Sequence, residues 1–242
     1  MKSEFLSNRE LRIFKHQIDR PSIGVSGQEK IKNSKVLIVG AGGKGSAAIQ
    51  HLAAAGVGFI GICDSQIVEE SVLPRQTLYG HSDLGKQKAI ISKQKTAANY
   101  PHSHIAIHNI YLAEANILNI ISDYDIIVDA TDNFSSHHII DKTASLKKKP
   151  VVFGIVCDDT VMISAFHLKK NSSFLQLFSS ESEYQDKASH PVNLTGDVIL
   201  YNMAGNLMAN EVLKIILDQD GILDGKVMKF NVPAFQILID VF

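Results

Sequence analysis

The chain has 242 residues, 45% hydrophobic and 20% charged, with 24 basic against 25 acidic side chains. That is ample for one soluble α/β domain, and the balanced charge argues against nucleic acid or a membrane surface as partner. Two cysteines, Cys63 and Cys157, support neither a disulfide framework nor a cysteine zinc cage; with no signal-like start and no apolar run of about 20 residues, a cytoplasmic protein is expected.

Residues 1–33 are polar and mixed. They read as an arm lying on the main domain or on a partner subunit, with a helix over Glu10–Gln17 and a break at Pro21–Gly24. Lys35–Ser46, KVLIVGAGGKGS, then gives an apolar strand, a glycine turn and a helix through Ala55. Glycines let the backbone turn sharply and approach a phosphate, and amides at a helix start attract the anion. Phe59–Cys63 is a second strand, ended by Asp64. A carboxylate about 20 residues past such a turn suits a ribose. These features fit NAD as well as ATP.

Asp64–Gly80 is aperiodic and carries Glu69, Glu70, Arg75 and Gln76. It reads as a loop beyond a strand's carboxyl end, where open α/β sheets bind ligands. A helix is predicted from Asp83 to about Tyr100, with Lys86 and Lys88 in its first turn. Cations oppose the helix dipole there, which points to a nearby anion or to a solvated face. His104–His108 reads as a strand, Ala113–Ile121 as a helix, and Asp125–Asp129 as a buried strand ending in Ala130-Thr131-Asp132-Asn133. A helix over Phe134–Leu146 and a strand at Pro150–Gly154 follow. This alternation predicts a Rossmann-like, doubly wound α/β fold with a mostly parallel sheet.

After Gly154 the pattern changes. Val161–His167 alternates, Lys169–Pro191 is polar and serine-rich and reads as a mobile loop (about 169–195), and Gly196–Leu217 is helical. Two final strands, Lys226–Val232 and Phe235–Phe242, extend the sheet antiparallel. The expected organisation is a single domain over 1–242: an arm at 1–33, a nucleotide-binding half at 34–154 and an antiparallel extension at 155–242.

Four features converge on one sheet edge: the glycine turn, Asp64, the Arg75/Lys88 pair and Asp132. A triphosphate needs cations, Arg as a fork and Lys as a point charge. Phosphoryl or nucleotidyl transfer needs a carboxylate for Mg²⁺, and Asp132 is the natural ligand. A hydride-transferring enzyme would need a nicotinamide-facing site instead.

At these residues the chain resembles the ThiF/MoeB/HesA family, relatives of the ubiquitin-activating enzymes. The resemblance covers nearly the whole chain: FKHQI, KVLIVGAGGKGS, AAAGVG, CDS, LPRQTLYGHSDLGKQKA, VDATDN and AGNLMANEVLKII. It implies a homodimer that uses ATP and Mg²⁺ to adenylate a C-terminal carboxylate on a ubiquitin-like sulfur carrier protein or a peptide. Carried over, Gly40, Gly42, Gly43 and Gly45 shape the nucleotide turn, Asp64 holds the ribose, and Arg75 and Lys88 hold phosphates. Gln76 supports them, Asp132 binds magnesium and Asn133 orients its loop.

The chain also departs from the family. His16 replaces an arginine that relatives donate across the dimer, and histidine is no permanent fork of donors. Lys44 stands at a usually aliphatic position, where it either supplies the missing phosphate charge or points to solvent. Val72 replaces an asparagine. Ser173 and Gln176 replace the first zinc cysteine pair, so no zinc is expected. Ala188-Ser189-His190-Pro191 has no transfer cysteine, and Cys157 reads as a packed, inert thiol. The alternative is a degenerate, non-catalytic member that binds nucleotide or protein as a dimer.

Overall fold

Val36, Leu37, Ile38 and Val39 form the centre of β1 (Lys35–Val39), and all four are buried. Val36 and Ile38 join one hydrophobic cluster, Leu37 and Val39 another. A strand covered on both faces has no polar side to show, hence the unbroken apolar run. The computed structural model describes residues 5–170, 172–188 and 197–242.

Eight strands form one sheet in the order β3-β2-β1-β4-β5-β6-β7-β8. They are β2 (Phe59–Cys63), β3 (His104–His108), β4 (Ile126–Asp129), β5 (Val151–Cys157), β6 (Thr160–Phe166), β7 (Lys226–Asn231) and β8 (Gln236–Val241), besides β1. Pairings from β3 through β5 are parallel; β5–β6, β6–β7 and β7–β8 are antiparallel. Helices α4 (Gly43–Ala55), α5 (Lys88–Asn99) and α10 (Asp197–Ile216) supply residues to one face, together with Ile31 of α3 (Gly24–Asn33). Helices α6 (Glu114–Ser122) and α7 (Phe134–Lys147) cover the other. The α/β fold with antiparallel C-terminal strands is as the sequence predicts.

Several boundaries differ. The arm contains α1 (Asn8–Ile13), α2 (Lys15–Ile18) and α3, where the sequence suggested one helix. Phe14 is the buried hinge between the first two. The helix expected from Asp83 instead begins at Lys88; His81–Asp83 is a separate 3₁₀ turn, and Lys86 lies between them. β5 runs past Gly154 to Cys157 and turns directly into β6. Part of the expected loop at 169–195 is helical: α8 (Phe174–Leu177) and α9 (Glu181–Ala188). Phe174, Phe178 and Tyr184 are buried there and pack edge-on or tilted against one another and against Phe153 or His137. Aromatic burial holds a stretch whose average composition is polar. Ser189, His190 and Pro191 lie outside the described residues.

Candidate active site

Strand order reverses at β1, which pairs β2 on one side and β4 on the other. In open α/β sheets such a switch point opens a crevice at the strands' carboxyl ends. A cavity of about 650 Å³ lies there, lined by Gly40, Asp64, Arg75, Gln76, Lys88 and Asp132 among others. The sequence placed these residues on four separate segments, and the fold brings them to one opening.

Gly40 ends β1 at φ +92°, and a Cβ there would lie 2.8 Å from the Ala130 carbonyl oxygen at the end of β4. Only glycine meets both demands. Gly42 also lines the cavity. Gly43 and Gly45 do not: a Cβ at Gly43 would strike Tyr201 of α10, and one at Gly45 would strike the Gly40 carbonyl. Their absent side chains serve packing around the turn, which narrows their expected role.

Asp64 fixes the turn from β2. Its Oδ2 accepts from the Ala41 amide at 2.7 Å and its Oδ1 from the Gln66 amide at 2.7 Å. Each oxygen keeps a further lone pair for a ligand hydroxyl. Tyr79 donates from its hydroxyl to the Ala41 carbonyl at 2.7 Å, tying the arginine loop to the same turn.

Lys88 is the first residue of α5 and is 3% exposed. Its ammonium donates to Gln66 Oε1 at 2.8 Å. Burial pushes its pKa below the ordinary lysine value, against the pull of Asp64 and Glu69. A cation held without full solvation at a helix start is primed for an anionic ligand. Arg75 lines the same cavity, with its guanidinium 5.7 Å from the Tyr201 ring centroid. Gln76 is buried and its Oε1 makes no hydrogen bond among the described residues. Such an orphan in a cavity is the mark of a ligand partner. Val72 lines the wall without a polar group.

Asp132 projects from the loop after β4 and its side chain is 67% exposed. Asn133 caps α7: its Oδ1 accepts from the Ser136 amide at 2.9 Å. Beneath the loop, Asp129 is buried against His137, with Nδ1 to Oδ2 at 2.7 Å. Thr131 donates its hydroxyl to Asp129 Oδ1 at 2.7 Å, and His137 Nε2 meets the Tyr184 hydroxyl at 3.1 Å. No local sequence pattern marks this support, because its members come from β4, the loop after it, α7 and α9.

Lys44 corrects both expectations made for it. It is 1% exposed, so it does not point to solvent. Nor does its ammonium reach for phosphate: it donates to the Thr131 carbonyl at 2.8 Å, Asp132 Oδ1 at 2.7 Å and the Gly154 carbonyl at 2.9 Å. Those three bonds use all its donors. His16 is exposed on α2 and lines no part of the cavity, so any contact from it needs a second copy of the chain.

Both cysteines are buried. Burial, aided by Asp64, pushes the Cys63 thiol up to about 12, and burial likewise raises that of Cys157. Neither is an activated nucleophile. Ser173 and Gln176, at the zinc-pair positions, cap α8 instead. Among the described residues no helix is long and apolar enough to cross a membrane.

The ThiF family profile matches residues 14–241. A "Probable molybdopterin-synthase adenylyltransferase" of Porphyra purpurea is 38% identical over 223 residues, 91% of this chain and 57% of that one. A "Sulfur carrier protein adenylyltransferase" of Thermus thermophilus is 32% identical over 232 residues, 93% of this chain and 84% of its own. Among solved structures, E. coli MccB with ATP superposes with a TM-score of 0.80 at 22% identity, over 98% of this chain and 71% of that chain. That last likeness speaks for the fold alone. This chain spans little more than half the length of the Porphyra relative.

Proposed function

The chain belongs to the ThiF family, and on that premise we propose that it is an ATP-dependent adenylyltransferase acting on a C-terminal carboxylate of a ubiquitin-like sulfur carrier protein or a peptide. The observation that carries the reading is the meeting of Arg75, Lys88 and Asp132 with the glycine turn and Asp64 around one cavity. The relatives' names supply the substrate class.

Asp64 receives the ribose hydroxyls with its spare lone pairs. Gly40 and Gly42 let the backbone approach the phosphates, which Arg75 and Lys88 neutralise, while the Gln76 oxygen is left to accept from a nucleotide hydroxyl or amino group. The donor set fits magnesium: one exposed carboxylate, with oxygen ligands left to phosphate and water, is how that ion is commonly held. Asp132 would hold it, and the bound ion would supply further neutralisation of phosphate charge.

The substrate carboxylate, ionised at neutral pH, attacks the α-phosphorus. One carboxylate O–P bond forms, the bond from the α-phosphorus to the bridging oxygen breaks, and pyrophosphate leaves with that electron pair. No proton has to move. Positioning and charge neutralisation therefore carry the catalysis. With both thiols buried, a separate nucleophile consumes the acyl-adenylate. Assembly as a homodimer belongs to the same proposal.

The test is trapping. Chain, Mg-ATP and a panel of carriers and peptides with free C-termini are incubated with hydroxylamine. A C-terminal hydroxamate that needs ATP supports the reading; ATP consumption with no hydroxamate on any partner contradicts it. Val72 and His16 favour a second reading, a nucleotide-binding member without chemistry. It predicts ATP binding with no turnover at all.

A further inference from the structure

We propose that Lys44 is a resident counter-cation for Asp132, a positioning residue that lets the site accept nucleotide before magnesium arrives. The proposal rests on the nucleotide reading above and goes beyond it.

Lys44 is the second residue of α4. A cation in a helix's first turn opposes the dipole, and a buried ammonium loses its hydration. Such a residue persists only where specific acceptors replace water. Here they are two backbone carbonyls and one carboxylate, all within 2.9 Å. The acceptors come from two places: the Thr131–Asp132 loop after β4, and Gly154 within β5. One ammonium thus pins the metal-ligand loop to the neighbouring strand.

The charge has its own consequence. Asp132 lines the nucleotide cavity with its side chain largely exposed. Unpaired, that carboxylate would repel a triphosphate until a metal ion bridged them. Lys44 takes Oδ1 and cancels the charge from behind. Oδ2 makes no hydrogen bond among the described residues and stays available to a metal. The Lys44 contact and metal ligation therefore use different oxygens.

The experiment is calorimetric titration of ATP into wild type, Lys44→Met and Lys44→Gln, once with excess Mg²⁺ and once with EDTA. Met keeps the length and bulk. Gln is shorter, keeps two N–H donors for the carbonyls and removes the charge, and serves if the Met variant does not melt cooperatively. Wild type should bind ATP in EDTA within about tenfold of its affinity in Mg²⁺. In the variants the metal-free Kd should rise about tenfold further, while the Kd in Mg²⁺ rises less than about threefold. Equal losses in both buffers would make Lys44 purely structural and overturn the proposal. So would unchanged affinities, or a wild type that binds ATP only with magnesium. Wild type binding no ATP in either buffer would remove the nucleotide reading itself; uniform losses in the variants would remove only the role of Lys44.

Discussion

His137 Nδ1 lies 2.7 Å from Asp129 Oδ2, both side chains shut off from solvent directly beneath the loop that carries Asp132. Burial alone would raise the Asp129 pKa, but His137 and the Thr131 hydrogen bonds outweigh it and hold it below the ordinary value. His137→Ala should therefore strip a buried carboxylate of its charged partner and leave it only the Thr131 hydrogen bonds. We expect a loss of roughly 3 kcal/mol, read by denaturant unfolding.

The same pair has a pH signature. A carboxylate with a depressed folded-state pKa contributes stability above its unfolded value, near 3.8, and the contribution is lost as pH falls through the folded value. Without His137, only the Thr131 hydrogen bonds still oppose the rise that burial imposes. The His137→Ala protein should begin acid unfolding at higher pH than wild type. Superimposable acid transitions would show that the pair is not coupled to folding.

Lys88 predicts an alkaline limb. Its depressed pKa means the ammonium is lost at lower pH than an ordinary lysine. ATP affinity should fall as pH rises through that value. Lys88→Arg, permanently charged, should lack the limb even if it binds more weakly. Lys88→Ala should lose at least about tenfold in affinity at neutral pH.

The metal role of Asp132 is best tested with Asn. Alanine would also strip Lys44 of its carboxylate partner, confounding charge with packing. Asparagine keeps an acceptor oxygen for that ammonium. Asp132→Asn should melt close to wild type and lose about 10²-fold or more in magnesium-dependent turnover. Full activity would refute the assignment.

Neither thiol should react with iodoacetamide in the native protein, because burial raises both pKa values. Mass spectrometry should find Cys63 and Cys157 unmodified before unfolding and alkylated after. Rapid native labelling of Cys157 would reopen a thiol-transfer role.

Much of this was legible in the sequence, for physical reasons. Val36–Val39 and Ile126–Val128 are unbroken apolar strands, and Gly40 and Asp64 sit at strand ends where ligand chemistry must lie. Lys44 was not legible. Its acceptors stand 87, 88 and 110 positions away in the chain, and no local pattern encodes them. Phe174, Phe178 and Tyr184 were hidden for a related reason: FLQLF is an apolar island too short to show a period inside a serine-rich stretch, Tyr184 stands alone beyond it, and their packing on one another and on Phe153 and His137 appears only in the fold. His137 read as one more polar residue on a helix until the fold laid it against Asp129.

The proposed function assigns Arg75, Lys88 and Asp132 to acyl-adenylate formation. ATP–³²P-pyrophosphate exchange with Mg²⁺, with and without carrier proteins and peptides ending in a free carboxylate, tests it most directly. Exchange should appear only with a carboxylate partner and be lost when that C-terminus is amidated. Tight ATP binding with no exchange for any partner would contradict it, and would leave a nucleotide-binding protein on an adenylyltransferase fold.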